Sequence, residues 1–185
     1  MAISKTQGAE AQAVDIPALC RHGQALQGQW PLAQLTRLGE GLFAAPSSDD
    51  VVTWSAQGSL QAVPGSDTQL WLTLQVRTRV QLQCQRCLQP LSQDLTLDRR
   101  LRFVHDEDEA ARLDEESEDD VLALQGRLHL VGLIEDELIL ALPLVPRHED
   151  CSQPLPLVNG APESAPEEAA HPFAALAALR RRDPN

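Results

Sequence analysis

Alternation of apolar and polar residues between positions 70 and 103 constrains the fold of this chain more than any other feature. In the first run the apolar positions are Leu70, Leu72, Leu74, Val76, Val80, Leu82 and Cys84. In the second run they are Leu95, Leu97, Leu101 and Phe103. A period of two places alternate side chains on opposite faces of a β-strand. We therefore predict two long, half-buried strands, joined as an antiparallel hairpin with Cys84 and Cys87 at its tip.

A helical stripe follows in residues 128–142, where Leu130, Ile134, Leu138 and Ala141 share one side and Pro143 ends the helix. The chain has 185 residues, 43% of them hydrophobic, which suits one domain with a core. We predict an α+β fold. It has an antiparallel sheet with a long central hairpin, one main covering helix, and short helices in the N- and C-terminal regions.

The domain organisation follows from composition. We expect a disordered N-terminus at 1–14 and a single α+β domain at 15–151. Within this domain we expect short helices in 16–38, a small hairpin turning at Gln57-Gly58, and an acidic loop at 106–120. The proline-rich residues 152–171 predict a flexible linker.

Residues 172–185 predict a short C-terminal helix, opened by a proline and ending in three arginines. Phe173, Leu176 and Leu179 give this helix an apolar side, so they are candidate partner-binding residues. The sequence leaves open whether the helix packs on its own domain or on a partner.

Charge is unevenly distributed. The formal net charge is -12, and residues 106–120 contain ten acidic residues against Arg112 alone. Such a block repels itself, so we expect a solvated loop. The overall charge argues against an autonomous nucleic-acid binder. The net charge of the whole chain does not describe the predicted hairpin, where arginines outnumber acidic residues.

The polar face of that hairpin carries Arg77, Arg79, Arg100 and Arg102. One interpretation is a solvated face whose arginines pair with Asp98 or the acidic block. The other is a basic surface for RNA phosphate or an acidic partner. The first is the commoner situation for surface arginines.

Two features of the pattern stand out. Arg99 interrupts the apolar face of the second strand, and Glu135-Asp136-Glu137 lies within the helical stripe. Adjacent helical residues point about 100° apart, so these three acids cannot converge on one ion without other ligands. We expect them to point mostly outward and give them no catalytic role, which argues against an acid-dependent nuclease.

Four residues have the chemistry of a zinc site. Cys84 and Cys87 have the Cys-x-x-Cys spacing of a half-site, and His148 and Cys151 offer a second pair. A Cys₃His site would tie the hairpin tip to the segment after the helix. A redox pair is an alternative, but it should lie between a strand and a helix. Reduced thiols with only packing roles are the other alternative.

Residues 82–90, LQCQRCLQP, resemble the Cys-x-Arg-Cys motif of the bacterial YceD family, the large ribosomal RNA subunit accumulation proteins. Residues 134–143, IEDELILALP, followed by Pro146, His148 and Cys151, are similar to a second block of that family. The tail also resembles the family's ending, although His171 replaces the usual asparagine before Pro-Phe.

The resemblance implies a non-enzymatic ribosome-biogenesis factor that supports synthesis, processing or stability of 23S ribosomal RNA. We then expect its partners to be large-subunit ribosomal RNA or its precursor, and ribosomal or rRNA-processing proteins. Arg86 of the motif joins the four face arginines as a candidate contact residue. The alternative is a protein-interaction adaptor that recruits a processing enzyme or ribosomal protein without touching RNA.

The sequence contains no run of about 18 apolar residues, so we expect no membrane span. Residues 1–12 also lack the layout of a secretory signal. Both observations favour a cytoplasmic protein.

Overall fold

The computed structural model describes residues 3–5, 12–65 and 68–151, and residues 3–5 as backbone only. These residues belong to one compact unit, Met1–Gln153. The predicted linker at 152–171 and the helix at 172–185, with Phe173, Leu176 and Leu179, lie outside the described residues. None of the helices in the described part of the chain is long and apolar enough to cross a membrane.

Eight strands and four helices are present in these residues. The strands are β1 (Ile3–Lys5), β2 (Ala13–Val14), β3 (Ala25–Pro31), β4 (Val51–Gln61), β5 (Gln69–Gln83), β6 (Pro90–Val104), β7 (Asp120–Ala123) and β8 (Leu128–His129). The helices are α1 (Ile16–Arg21), α2 (Thr36–Glu40), α3 (Glu107–Asp114) and α4 (Leu130–Leu140), with a 3₁₀ turn at Leu32–Gln34.

The main sheet has the strand order β1-β3-β4-β5-β6-β7, and β2 pairs with β8 separately. Its three central pairings are antiparallel, and β1 and β7 add parallel strands at the edges. The β5–β6 ladder runs from Leu70 opposite Phe103 to Gln83 opposite Pro90. The α+β fold with a long central hairpin is therefore confirmed.

The core lies on one face of this sheet, here called the inner face. Trp54, Leu72, Leu74 and Leu101 are buried there. On this side α1 packs on β4 and β5, α4 packs on β6, and α2 packs on α4. The opposite, outer face exposes mainly glutamine, serine, threonine and arginine, as the alternation predicts.

The predicted hairpin at Gln57-Gly58 is wrong, because β4 is one continuous strand. Gly58 lies opposite Leu72 in the ladder, on the inner face. A Cβ at this position would come within 2.8 Å of the backbone N of Cys20 and the carbonyl carbon of Leu19. This glycine therefore allows the close approach of α1 rather than making a turn.

The purely helical prediction for 16–38 missed β3, which pairs along its length with β4. Gly28 in this strand provides space for Trp54, whose ring would be 2.9 Å from an added Cβ. Tertiary packing thus decides the local structure here. Within 1–14, where the sequence predicts disorder, residues 3–5 and 13–14 form β1 and β2.

The predicted acidic loop at 106–120 instead contains α3 and the start of β7. Asp106 caps α3, because its carboxylate accepts from the N–H of Glu109 at 2.8 Å. Three acids in the first turn interact favourably with the helix dipole. The helix also buries Ala110 and carries the chain from β6 to the parallel strand β7.

The three acids of α4 do not point mostly outward, since Glu135 and Glu137 are buried. Glu135 accepts from the backbone N–H of Arg37 at 2.7 Å and pairs with its guanidinium at 2.9 Å. Glu137 pairs with Arg99 at 2.9 Å. The arginine that interrupts the apolar strand face is therefore the partner of a buried acid in the covering helix.

Candidate metal centre

The turn between β5 and β6 presents the first two cysteines. The N–H of Cys84 donates to Gln89 O at 3.0 Å, and the N–H of Leu88 donates to Cys84 O at 2.8 Å. Leu88 has a φ of 60°, in the left-handed region. This tight turn buries both Cys84 and Cys87 at the hairpin tip.

The segment after α4 brings the second pair of ligands to the tip. Gln85 N donates to Pro146 O at 2.8 Å, which docks this segment alongside the turn. The backbone N–H of His148 donates to the Cys84 sulfur at 3.4 Å. His148 and Cys151 thereby join the two cysteines of the hairpin.

The four side chains lie close enough together to share one ion, and two of their separations match a tetrahedral zinc site. Their ligand atoms all lie within 4.8 Å of one another. The Cys84 and Cys151 sulfurs are 3.8 Å apart, and Cys87 Sγ is 3.4 Å from His148 Nδ1. With Zn–S near 2.3 Å and Zn–N near 2.0 Å, a tetrahedron has S–S edges of about 3.8 Å and S–N edges of about 3.5 Å.

The orientation of His148 fits the same site. Its Nε2 lies 3.2 Å from Pro90 O, the first carbonyl of β6. A proton on Nε2 donates to this carbonyl and leaves the lone pair of Nδ1 facing the cysteines. Metal-binding histidines commonly use the second ring nitrogen in this way, which fixes the tautomer and the ring plane.

The surroundings of Cys84 favour its thiolate form. Burial by itself would raise the pKa of Cys84, but the N–H groups of His148, Arg86 and Cys87 stabilise the thiolate and lower the pKa to about 5. The pKa of Cys151 is raised to about 11 by burial and by the neighbouring Cys87 and Cys84 sulfurs. A divalent cation would neutralise this charge and deprotonate the remaining thiols.

The structure therefore brings together all four residues of the predicted cluster. The Cys-x-x-Cys pair lies between two strands, which is not the setting of a thioredoxin-like redox pair. Four protein ligands would also close the coordination shell, as in structural rather than catalytic zinc sites.

The five candidate arginines are not brought together. Arg77 and Arg79 lie midway along the outer face, Arg100 and Arg102 lie nearer its far end, and Arg86 is exposed at the tip. Arg79 lies six positions along β5 from Thr73, the strand partner of Arg100, and this is a distance of about 20 Å.

Three of these arginines already have local partners or are half-buried. Arg79 binds Asp94 through two hydrogen bonds, which lower the pKa of that carboxyl. Arg100 lies over the Trp71 ring, 3.9 Å from its centroid, and pairs with Asp119 of the acidic block at 3.7 Å. Arg102 is half-buried. The outer face is thus closer to a solvated surface whose arginines pair with nearby acids than to a basic surface for RNA phosphate.

Comparison with known proteins gives a family match and several similar proteins. The family described as "Large ribosomal RNA subunit accumulation protein YceD" matches residues 72–180. A protein of Haemophilus influenzae with the same name is 33% identical over 158 residues, covering 84% of this chain and 87% of the relative. No solved structure matches significantly.

Proposed function

This chain belongs to the YceD family of large ribosomal RNA subunit accumulation proteins, and on that premise we propose that it is a non-enzymatic, cytoplasmic ribosome-biogenesis factor. In this role it supports the synthesis, processing or stability of 23S ribosomal RNA. The observation that carries the proposal is the family match, whose residues 72–180 include both halves of the cysteine–histidine cluster.

The non-enzymatic assignment is supported by what the acidic residues do. Glu135 and Glu137 were the natural candidates for a metal-dependent nuclease. Both are held in hydrogen bonds that join α4 to α2 and β6. Acids held in this way position secondary structure, which supports a structural rather than a catalytic role for them.

The test is the ribosomal RNA of a strain that lacks this gene. We expect the ratio of 23S to 16S RNA to fall, and to recover when the wild-type chain is expressed. Purified protein, incubated with precursor RNA and magnesium or manganese, should leave the RNA intact. An unchanged ratio would contradict the proposed role, and specific cleavage would contradict the non-enzymatic assignment.

We further propose that the cluster binds zinc as a structural ion. When bound, zinc supplies a cross-link between the hairpin tip and the segment after α4. The residues of the chain do the rest: Cys84, Cys87 and Cys151 offer thiolates, while Pro90 O orients His148. The site then fixes the turn that carries Arg86.

Metal analysis of purified protein tests this proposal. We expect one zinc per chain, and loss of that zinc in Cys84→Ser. Cys20→Ser is the matched control, because Cys20 is also a buried free cysteine but donates to Trp71 O away from the cluster. Fully folded, metal-free wild-type protein would refute zinc binding.

The adaptor function remains the second candidate, and the pairing of Arg79 and Arg100 with acids favours it. Direct RNA binding would instead depend on Arg77 and Arg86, which form no ion pair with other described residues. Replacing both by Gln should then weaken RNA binding and reduce its salt dependence, whereas Arg79→Gln should have little effect. Partners that survive nuclease treatment would support the adaptor.

A further inference from the structure

Exposed apolar side chains gather at the metal end of the sheet. Four of the large exposed hydrophobic residues lie there and form what we call the tip patch: Phe43, Leu88, Leu144 and Val145. Phe43 is bonded through its N–H to Gln81 O of β5 at 2.7 Å. Leu144 and Val145 immediately precede Pro146, whose carbonyl oxygen accepts a hydrogen bond from the N–H of Gln85 in the turn. Burial of such side chains is favourable, so this end suits contact with another molecule.

Leu88 adds an observation independent of exposure. Among the described residues it is the only non-glycine with a positive φ. A left-handed conformation costs an L-residue with a Cβ about 1 kcal/mol or more, and glycine avoids that cost. The turn accounts for this conformation, since the N–H of Leu88 donates to Cys84 O. Leu88 is nevertheless 44% exposed, so its side chain adds little to the core and is available for contact with another molecule.

The charged residues around the patch carry both signs. Arg86 and Arg147 are exposed, and so are Glu149 and Asp150. None of the four forms an ion pair with another described residue. An isologous interface uses the same surface of both copies, so a surface that carries both signs can pair the arginines of one copy with the acids of the other. A nucleic acid would meet these acids and the cysteine sulfurs, which disfavours it as the occupant.

The acidic block does not prevent such pairing. It begins beyond the end of β6 at Val104, whereas the tip precedes Pro90. Fourteen residues of extended strand separate the two ends by about 45 Å. This is several times the Debye length of about 8 Å at physiological ionic strength. The acidic block therefore has little influence on contacts at the tip.

From these observations we propose that the tip patch is the interface of a homodimer. Two copies meet with Leu88, Leu144 and Val145 at the centre and with Arg86 and Arg147 facing Glu149 and Asp150 of the other copy. A metal bound by the four cluster residues would hold the two contributing segments rigid and so lower the entropy lost on association. The proposal concerns self-association and does not depend on the ribosomal role.

Sedimentation velocity of the full-length, zinc-loaded protein tests the dimer. We expect twice the chain mass of 20.2 kDa at high protein concentration. Leu144→Asp should weaken the dimer at least about tenfold. Leu60→Asp is the matched control, because Leu60 is 45% exposed but lies at the other end of β4. Circular dichroism and zinc content should be unchanged in both variants.

A charge exchange provides the decisive measurement. Arg147→Glu and Glu149→Arg should each be monomeric alone, because each variant meets its twin with like charges. An equimolar mixture should recover the dimer, since the two altered surfaces are then complementary. Wild-type protein that is monomeric at about 100 µM, far above the dissociation constants of stable complexes, would overturn the proposal. A dimer that is dissociated by Leu60→Asp but not by Leu144→Asp would overturn it too.

Discussion

Glu135 and Asp136 are neighbours on α4 that pair with the same arginine but differ in burial. The Glu135 side chain is 9% exposed and the Asp136 side chain is 56% exposed. Glu135 also accepts from two backbone N–H groups at the start of α2, those of Arg37 and Leu38, at 2.7 and 3.2 Å. Among the described residues, Asp136 pairs only with the Arg37 guanidinium, at 2.6 Å. Replacing each acid by alanine therefore distinguishes the stability contributed by a buried capping carboxylate from that contributed by a surface ion pair.

The expected magnitudes follow from these contacts. Loss of a helix-capping carboxylate costs about 1 kcal/mol. Loss of charge-assisted hydrogen bonds from a buried group costs about 2 kcal/mol more. We thus expect Glu135→Ala to lower the free energy of unfolding by about 3 kcal/mol, and Asp136→Ala by less than about 1 kcal/mol. Glu135→Gln should be intermediate, because an amide oxygen replaces one carboxylate oxygen while the charge is lost.

Urea unfolding at saturating zinc measures these differences, and thermal melts should show a drop of roughly 6 to 12 °C for Glu135→Ala. Saturating zinc keeps the metal from contributing differently to the variants. Equal losses for the two alanine variants would refute the reasoning, since burial would then not distinguish them. A loss below about 1 kcal/mol for Glu135→Ala would refute the capping role.

Three further predictions test the packing and the cluster. Gly58→Ala should lower the free energy of unfolding by about 2 kcal/mol, because the added Cβ meets the α1 backbone. Gly39→Ala, whose added Cβ has its nearest neighbour at 4.0 Å, should be neutral or stabilising. Urea unfolding distinguishes the two variants. In metal-free protein, the thiolate of Cys84 stabilises the folded state because its pKa is lowered on folding. This stabilisation is complete above about pH 9 and is lost as the pH falls toward 5. Cys84→Ser should flatten the pH dependence of the free energy of unfolding between these values. An unchanged pH dependence would exclude a stabilising thiolate. Arg99→Leu should destabilise the fold by leaving Glu137 unpaired, and adding Glu137→Leu should restore most of the loss; a double variant as unstable as the single one would contradict the pairing.

The sequence predicted the elements that carry a long, single-period pattern. The β5–β6 hairpin follows from fifteen-residue strands whose alternate side chains are buried, and α4 from a stripe of leucine and isoleucine. The cysteine cluster could also be found, because zinc ligands are few in kind and their spacing is characteristic. In these cases local pattern and tertiary structure agree.

The features that the sequence did not reveal depend on contacts between distant segments. Gly58 resembles a turn residue until α1 is placed against β4. The pairing of Arg79 with Asp94 requires the strand register, since fifteen positions separate them in the chain. The burial of Glu135 depends on α2, almost a hundred residues earlier. Arg99 within an apolar face was the one visible signal that α4 would bury an acid against the sheet.

A metal held by Cys87 and His148 would close the chain into a ring. These two residues are 61 positions apart, and the ring between them contains β6, α3, β7 and α4. A cross-link over a loop of this length removes entropy from the unfolded chain worth about 4 kcal/mol. A protease cut between α3 and β7, in the exposed acidic stretch, would then leave two fragments joined through zinc as well as through the packing of β7 and α4 on β6. A chelator would remove the zinc link and leave that packing alone to hold the fragments together.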